Sequence, residues 1–64
     1  MNTIFVRKLT FGEASVRIAV VENLGMYMVS ERFNMPNFSK AVVYREMSEA
    51  EAIEKAEAML ADWA

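Results

Sequence analysis

From Met47 onward the chain has the pattern of a single amphipathic helix, opened by Met47-Ser48-Glu49-Ala50-Glu51, and everything before it reads as short strands. Ser48 is placed to cap that helix, because its hydroxyl can accept from the free amide of Glu51 while the Glu51 side chain reaches back, the reciprocal arrangement of a capping box. Glu49 and Glu51 also suit the positive end of the helix dipole. The helical repeat brings Ala52, Ile53, Ala56, Met59, Leu60 and Trp63 onto one stripe, which is expected to lie on the sheet. Ala50, Glu51, Glu54, Glu57, Ala58, Ala61 and Asp62 point elsewhere.

Ahead of the helix, Thr3 to Leu9 is rich in β-branched and aromatic residues and ends in Thr10-Phe11-Gly12-Glu13, whose glycine supplies the backbone freedom of a turn. Ser15 to Glu22 alternates cleanly, with Val16, Ile18 and Val20 on one face and Ser15, Arg17 and Ala19 on the other. Asn23-Leu24-Gly25 is a hairpin connection into a third strand, Met26 to Arg32, so the first three strands form an antiparallel meander. Phe33 to Ser39 carries the only proline and reads as a loop, after which Lys40 to Arg45 resumes as a fourth strand. The expected fold is a small α+β domain over residues 1–64: an antiparallel sheet of three to four strands with one C-terminal amphipathic helix packed on one face.

Sixty-four residues allow one core and not two, and a chain this short buries only about 60% of the surface its unfolded form exposes. Total stability is then of the order of 3 to 10 kcal/mol. A hydrophobic content of 55% is too high for a disordered chain. The chain has no cysteine, which excludes disulfides and thiolate chemistry and suits a reducing cytoplasm. The charges of Arg7 and Lys8 follow a short apolar run, the wrong order for a signal peptide, and no stretch approaches a membrane span of about 20 apolar residues.

With neither histidine nor cysteine, the usual acid–base groups, nucleophile pairs and zinc ligands are missing, and no phosphate loop, dinucleotide fingerprint or calcium loop occurs. Glu22, Glu31 and Glu46 fall at strand ends, where solvated charge is the ordinary state. One helix on one sheet also leaves little room for a ligand pocket of about 300 Å³ or more. The expectation is a protein that is not an enzyme, with no catalytic, cofactor or metal residues and no small-molecule substrate.

Function is therefore sought on surfaces. Residues 1–45 hold six basic and three acidic groups, a net +3, and residues 46–64 hold six acidic groups and Lys55, a net −5. Glu51, Glu54, Glu57 and Asp62 form an acidic helix face able to meet a partner surface built for phosphates. With one covering helix, some of Phe5, Ala19, Val21, Tyr27, Val29 and Val43 would face water, and such a patch marks an interface unless the Met35 and Phe38 loop folds back over it as a lid. Phe33, Met35 and Phe38 are themselves interface-type residues, and six methionines suit adaptable contacts.

The leading expectation is a protein-binding module that occludes another protein through the acidic helix face or the open sheet face. In size and acidic helix the chain is similar in general character to small phage-encoded inhibitors such as anti-CRISPR proteins, some of which mimic nucleic acid; the likeness covers no motif and transfers no residues. The alternatives are a homodimeric accessory subunit and a nucleic-acid binder that uses Arg7, Lys8, Arg17, Arg32, Lys40 and Arg45, with Phe5 and Tyr27 to stack bases. A pI near 5.0 and the lack of a binding motif argue against nucleic acid, and the acidic helix would repel phosphate unless it lay on the far side.

Overall fold

Three two-residue turns fold the first part of the chain into four long strands that pair in chain order: β1 (Asn2–Phe11), β2 (Ala14–Asn23), β3 (Met26–Met35) and β4 (Phe38–Glu46), all antiparallel neighbours. The helix α1 (Glu49–Trp63) returns along one face. The computed structural model describes residues 1–46 and 48–63; Met47, which the sequence places at the entry to the helix, lies outside the described residues.

Each turn has its own reason. Leu24 and Gly25 both take positive φ, 54° and 80°, the combination whose twist matches that of the flanking strands. The Glu22 carboxylate secures this turn, accepting from the Gly25 amide at 2.9 Å and from Asn2 Nδ2 at 3.1 Å. These two bonds favour the ionised form and hold the Glu22 carboxyl below its ordinary value. Gly12 supplies positive φ, 62°, in the first turn.

The third turn corrects the expected loop. Phe33, Asn34 and Met35 continue β3, Phe38 and Ser39 begin β4, and only Pro36 and Asn37 lie between them. Proline breaks strands in the middle of a sheet, but at the first central position of a tight turn its fixed φ fits and its missing N–H is not needed. No lid forms: Met35 and Phe38 remain 48% and 56% exposed.

Val16, Ile18 and Val20 from β2, Val29 from β3, and Ala52 and Ala56 from the helix form the buried core. The two alanines, one helical turn apart, let the helix backbone settle close over β2 and β3, where most of its contacts fall. Ile53, Met59, Leu60 and Trp63 complete the packed stripe, as the helical repeat predicts. At the N-cap the Glu51 amide donates to Ser48 Oγ at 3.2 Å, while the returning Glu51 carboxylate accepts from the Ser48 hydroxyl at 2.9 Å. At the other end Trp63 stacks on Phe33, with centroids 5.5 Å apart, and donates from Nε1 to Glu31 Oε2 at 2.7 Å. Glu31 is thus not a solvated strand-end acid; it sits inside β3 and anchors the end of the helix. Among the described residues no helix is long and apolar enough to cross a membrane.

Candidate functional site

Strand pairing sorts the side chains into two faces. The face under the helix receives Phe5, Leu9, Val16, Ile18, Val20, Tyr27, Val29 and Phe33, all buried or half-buried against the core. The opposite face is uncovered and is built of cross-strand rows set about 4.8 Å apart from strand to strand.

One of these rows is unlike the others. Lys8 pairs with Arg17, Arg17 pairs with Arg32, and Arg32 pairs with Ala41, so three cations stand side by side on three adjacent strands. All three are exposed. Arg45 occupies the same face two rows away, opposite Met28. Among the described side chains, no acidic residue of the strands lies on this face: Glu22 and Glu31 alternate to the helix side. Like charges directly opposite one another in a sheet destabilise it, so the row is a local cost of up to about 1 kcal/mol per contact.

The neighbouring rows differ in chemistry. Thr10, Ser15, Asn34 and Ser39 form a row of uncharged hydrogen-bonding side chains on one side of the cations. On the other side Val6, Ala19, Ser30 and Val43 form a small, flat row. Val43 is 58% exposed, whereas Ala19, expected at the water-facing surface, is buried beneath its larger neighbours on the central strand. All seven aromatic residues lie on the helix side or in the helix. Phe5 and Tyr27 are therefore removed from the open face: Phe5 carries the Arg7 guanidinium 4.7 Å above its ring, and the Tyr27 hydroxyl donates to Glu49 at 3.4 Å. Burial, then the Glu49 charge, raises the Tyr27 pKa.

The acidic helix residues fan out rather than form one column. Glu51 and Glu54 line a surface groove with Lys55 and Ala58, whereas Glu57 lines another with Phe5, Arg7, Leu60 and Ala61. Asp62 is exposed, and the Lys55 ammonium lies 4.5 Å over the Tyr44 ring. A third groove of about 280 Å³ runs between the helix and β4, lined by Glu31, Phe33, Lys40, Val42, Tyr44 and Trp63.

The remaining candidates meet at the hairpin end. The 15-residue helix is about 22 Å long against about 33 Å for a ten-residue strand, so it stops short of the last row on its own face. There Phe11 pairs with Ala14, Met35 pairs with Phe38, and the register brings the two pairs level. Phe11, Met35 and Phe38 are 44%, 48% and 56% exposed, with Trp63 beside Phe11 at 6.0 Å. Phe33, by contrast, belongs to the packed interior. Compared with protein-family models, curated proteins and solved structures, the chain matches none of them.

Proposed function

We propose that this chain is a non-enzymatic binding module that docks a negatively charged macromolecular partner through the open face of its sheet. The observation that carries the reading is the Lys8–Arg17–Arg32 row. A domain with so small a core has little stability to spare, yet it keeps three like charges in register where uncharged strand formers would be more stable. An electrostatic surface of one sign steers and holds a partner of the other. A cytoplasmic setting suits a chain without cysteine.

The same row disfavours a homodimer joined through this face, since two-fold pairing would bring cations towards cations. The outer helix acids support the occluding, mimic-like mode less well, because their carboxylates divide between two sides of the helix. A second reading rests on Phe11, Met35 and Phe38: an exposed apolar row of this kind fits a protein partner at the hairpin end.

Charge reversal on the open face tests the first reading. Immobilised wild-type protein and an Arg17→Glu/Arg32→Glu variant are challenged with the same lysate, with and without nuclease treatment. The reading expects a stoichiometric macromolecule retained by the wild type and released by the variant, while Lys40→Glu on the helix side retains it. Equal retention by the open-face variant overturns it.

A further inference from the structure

Building on the docking reading, we infer that the ligand of the open face is a nucleic-acid backbone, gripped through its phosphates by Lys8, Arg17 and Arg32 and read without regard to sequence. Four features of the face converge on this chemistry.

The first is geometry. The cations come from three neighbouring strands, so their backbone origins span about 10 Å in a line that crosses the strands. A linear array of positive charge complements a linear array of negative charge, and long flexible side chains adjust to the phosphate spacing. Two arginines in the row add the planar fork that pairs bidentately with phosphate oxygens.

The second is the company the row keeps. Thr10, Ser15, Asn34 and Ser39 run parallel to it, one row away, and present uncharged donors and acceptors. Serine, threonine and asparagine side chains are regular partners of phosphate and sugar oxygens, where they fix register and orientation. An acidic protein partner would call instead for large apolar or aromatic anchors at the centre of the interface. This face has no aromatic residue: the apolar side chains in and beside the cation row are Ala41, Val6, Ala19 and Val43, the larger Met28 and Met26 lie two and three rows away, and every aromatic lies on the other side.

The third is the placement of negative charge. The net charge of −2 argues against nucleic acid only if the acids share a face with the cations. Glu22 and Glu31 alternate to the helix side, and Glu13 sits in the first turn at the end of the sheet. The helix that carries Glu51, Glu54, Glu57 and Asp62 lies on the far side of the sheet, and the molecule is 15 Å thick between Cα atoms along its thinnest direction. That exceeds the Debye length of about 8 Å at physiological ionic strength, so the helix repels little of what the open face attracts.

The fourth is the lack of aromatic stackers, which sets the mode. Single-strand binders place aromatic side chains under successive bases, and this face offers no such platform. Recognition is confined to the backbone, which makes it tolerant of sequence, indifferent to base edges and dominated by counterion release. The expected dissociation constant lies in the range of about 10⁻⁴ to 10⁻⁶ M at physiological salt, as for other contacts of this kind.

Fluorescence anisotropy with an end-labelled 20-base-pair DNA duplex and the full chain, across a salt titration, tests the inference. Three to four phosphate contacts predict a slope of log affinity against log salt of about −2.7 to −3.6. Replacing Lys8, Arg17 and Arg32 together by threonine should remove about three units of that slope, and each single replacement about one. Lys40→Thr, which removes the same charge from the helix side, should leave the slope unchanged, and circular dichroism confirms that each variant is folded. Polyglutamate of matched charge serves as competitor. If it displaces the duplex at equal charge concentration, the ligand is any polyanion and the nucleic-acid assignment fails while open-face docking stands. A duplex that does not bind at 20 mM salt, or a slope that survives the triple replacement, overturns the inference outright.

Discussion

Arg17 and Arg32 face one another as register partners in the middle of the sheet, on a face where, among the described side chains, no acidic residue of the strands answers them. Lys8 extends the same row on the other flank of Arg17, so the central arginine has a like charge on each side. Sheets gain stability from opposite-charge and apolar cross-strand pairs, and this arrangement is the reverse. The consequences can be measured on the folded protein without knowledge of any partner.

Arg17→Thr should stabilise the fold. It removes both repulsive contacts at once and puts a β-branched residue on a central strand, a gain of about 0.5–1 kcal/mol, or roughly 2–8 °C in a domain of this size. Thermal denaturation at low salt reads the shift, and high salt should shrink it by screening the repulsion in the parent. An unchanged or lowered midpoint would mean that the row is not under electrostatic strain.

The junction between helix and sheet depends on one donor. Trp63→Phe keeps the stack on Phe33 but removes the Nε1 bond to Glu31, leaving a half-buried carboxylate without that partner, at a cost of about 1–3 kcal/mol. Urea unfolding of Trp63→Phe, Glu31→Leu and the double variant should show strong non-additivity, whereas additive losses would place the stabilisation in the ring packing alone.

Ala56 is fully buried between helix and sheet, and Ala58 is exposed on the outer face. Ala56→Leu should destabilise by about 1–3 kcal/mol through overpacking, while Ala58→Leu stays within about 0.5 kcal/mol of the parent. Chemical denaturation of both distinguishes this packing from one in which the helix rests loosely on the sheet.

At the second turn Leu24 holds positive φ with its side chain 91% exposed, so it bears backbone strain without any burial in return. Leu24→Asn should raise stability by about 0.5–1 kcal/mol. Gly25→Ala should lower it by about 1–2 kcal/mol from φ alone, since no atom lies within 4 Å of the added methyl. Midpoints from thermal melts check both signs.

The same turn has a pH signature. Because the bonds from Gly25 and Asn2 lower the Glu22 pKa on folding, their contribution is fully present above the ordinary glutamate value of about 4.3 and is lost as the pH falls through the folded-state value. Glu22→Gln should therefore lose less stability than the parent between pH 6 and pH 3. Parallel acid limbs in the two proteins would show that the carboxylate adds nothing to the turn.

Much of this architecture is legible in the residues. The alternation of Val16, Ile18 and Val20, the stripe from Ala52 to Trp63 and the Ser48 cap all state locally what the fold does with them, because one periodicity and one bonding pattern decide each. Pro36 misleads, since the residue that breaks a strand also suits the corner of a tight turn, and only the pairing of Met35 with Phe38 separates the two roles. The basic row hides for a related reason. Reflection about a two-residue turn at Gly12-Glu13 carries Arg17 onto Lys8, and reflection about Leu24-Gly25 carries it onto Arg32. A turn one residue longer on either side would send those side chains to different rows and faces, so the surface is invisible until both turn lengths are known. Phe5 and Tyr27 illustrate the same dependence, for alternation says that they share faces with their neighbours but not which face the helix covers.

The most direct measurement of where this protein binds is the set of backbone amide shifts in a nitrogen-15 NMR titration with a short DNA duplex at low salt. The account predicts progressive perturbations centred on Lys8, Arg17, Arg32 and the flanking Ser15 and Asn34, with the outer helix from Glu51 to Asp62 unmoved. Shifts confined to Glu51, Glu54 and Glu57 or to Met35 and Phe38, or no shifts at all, would contradict it.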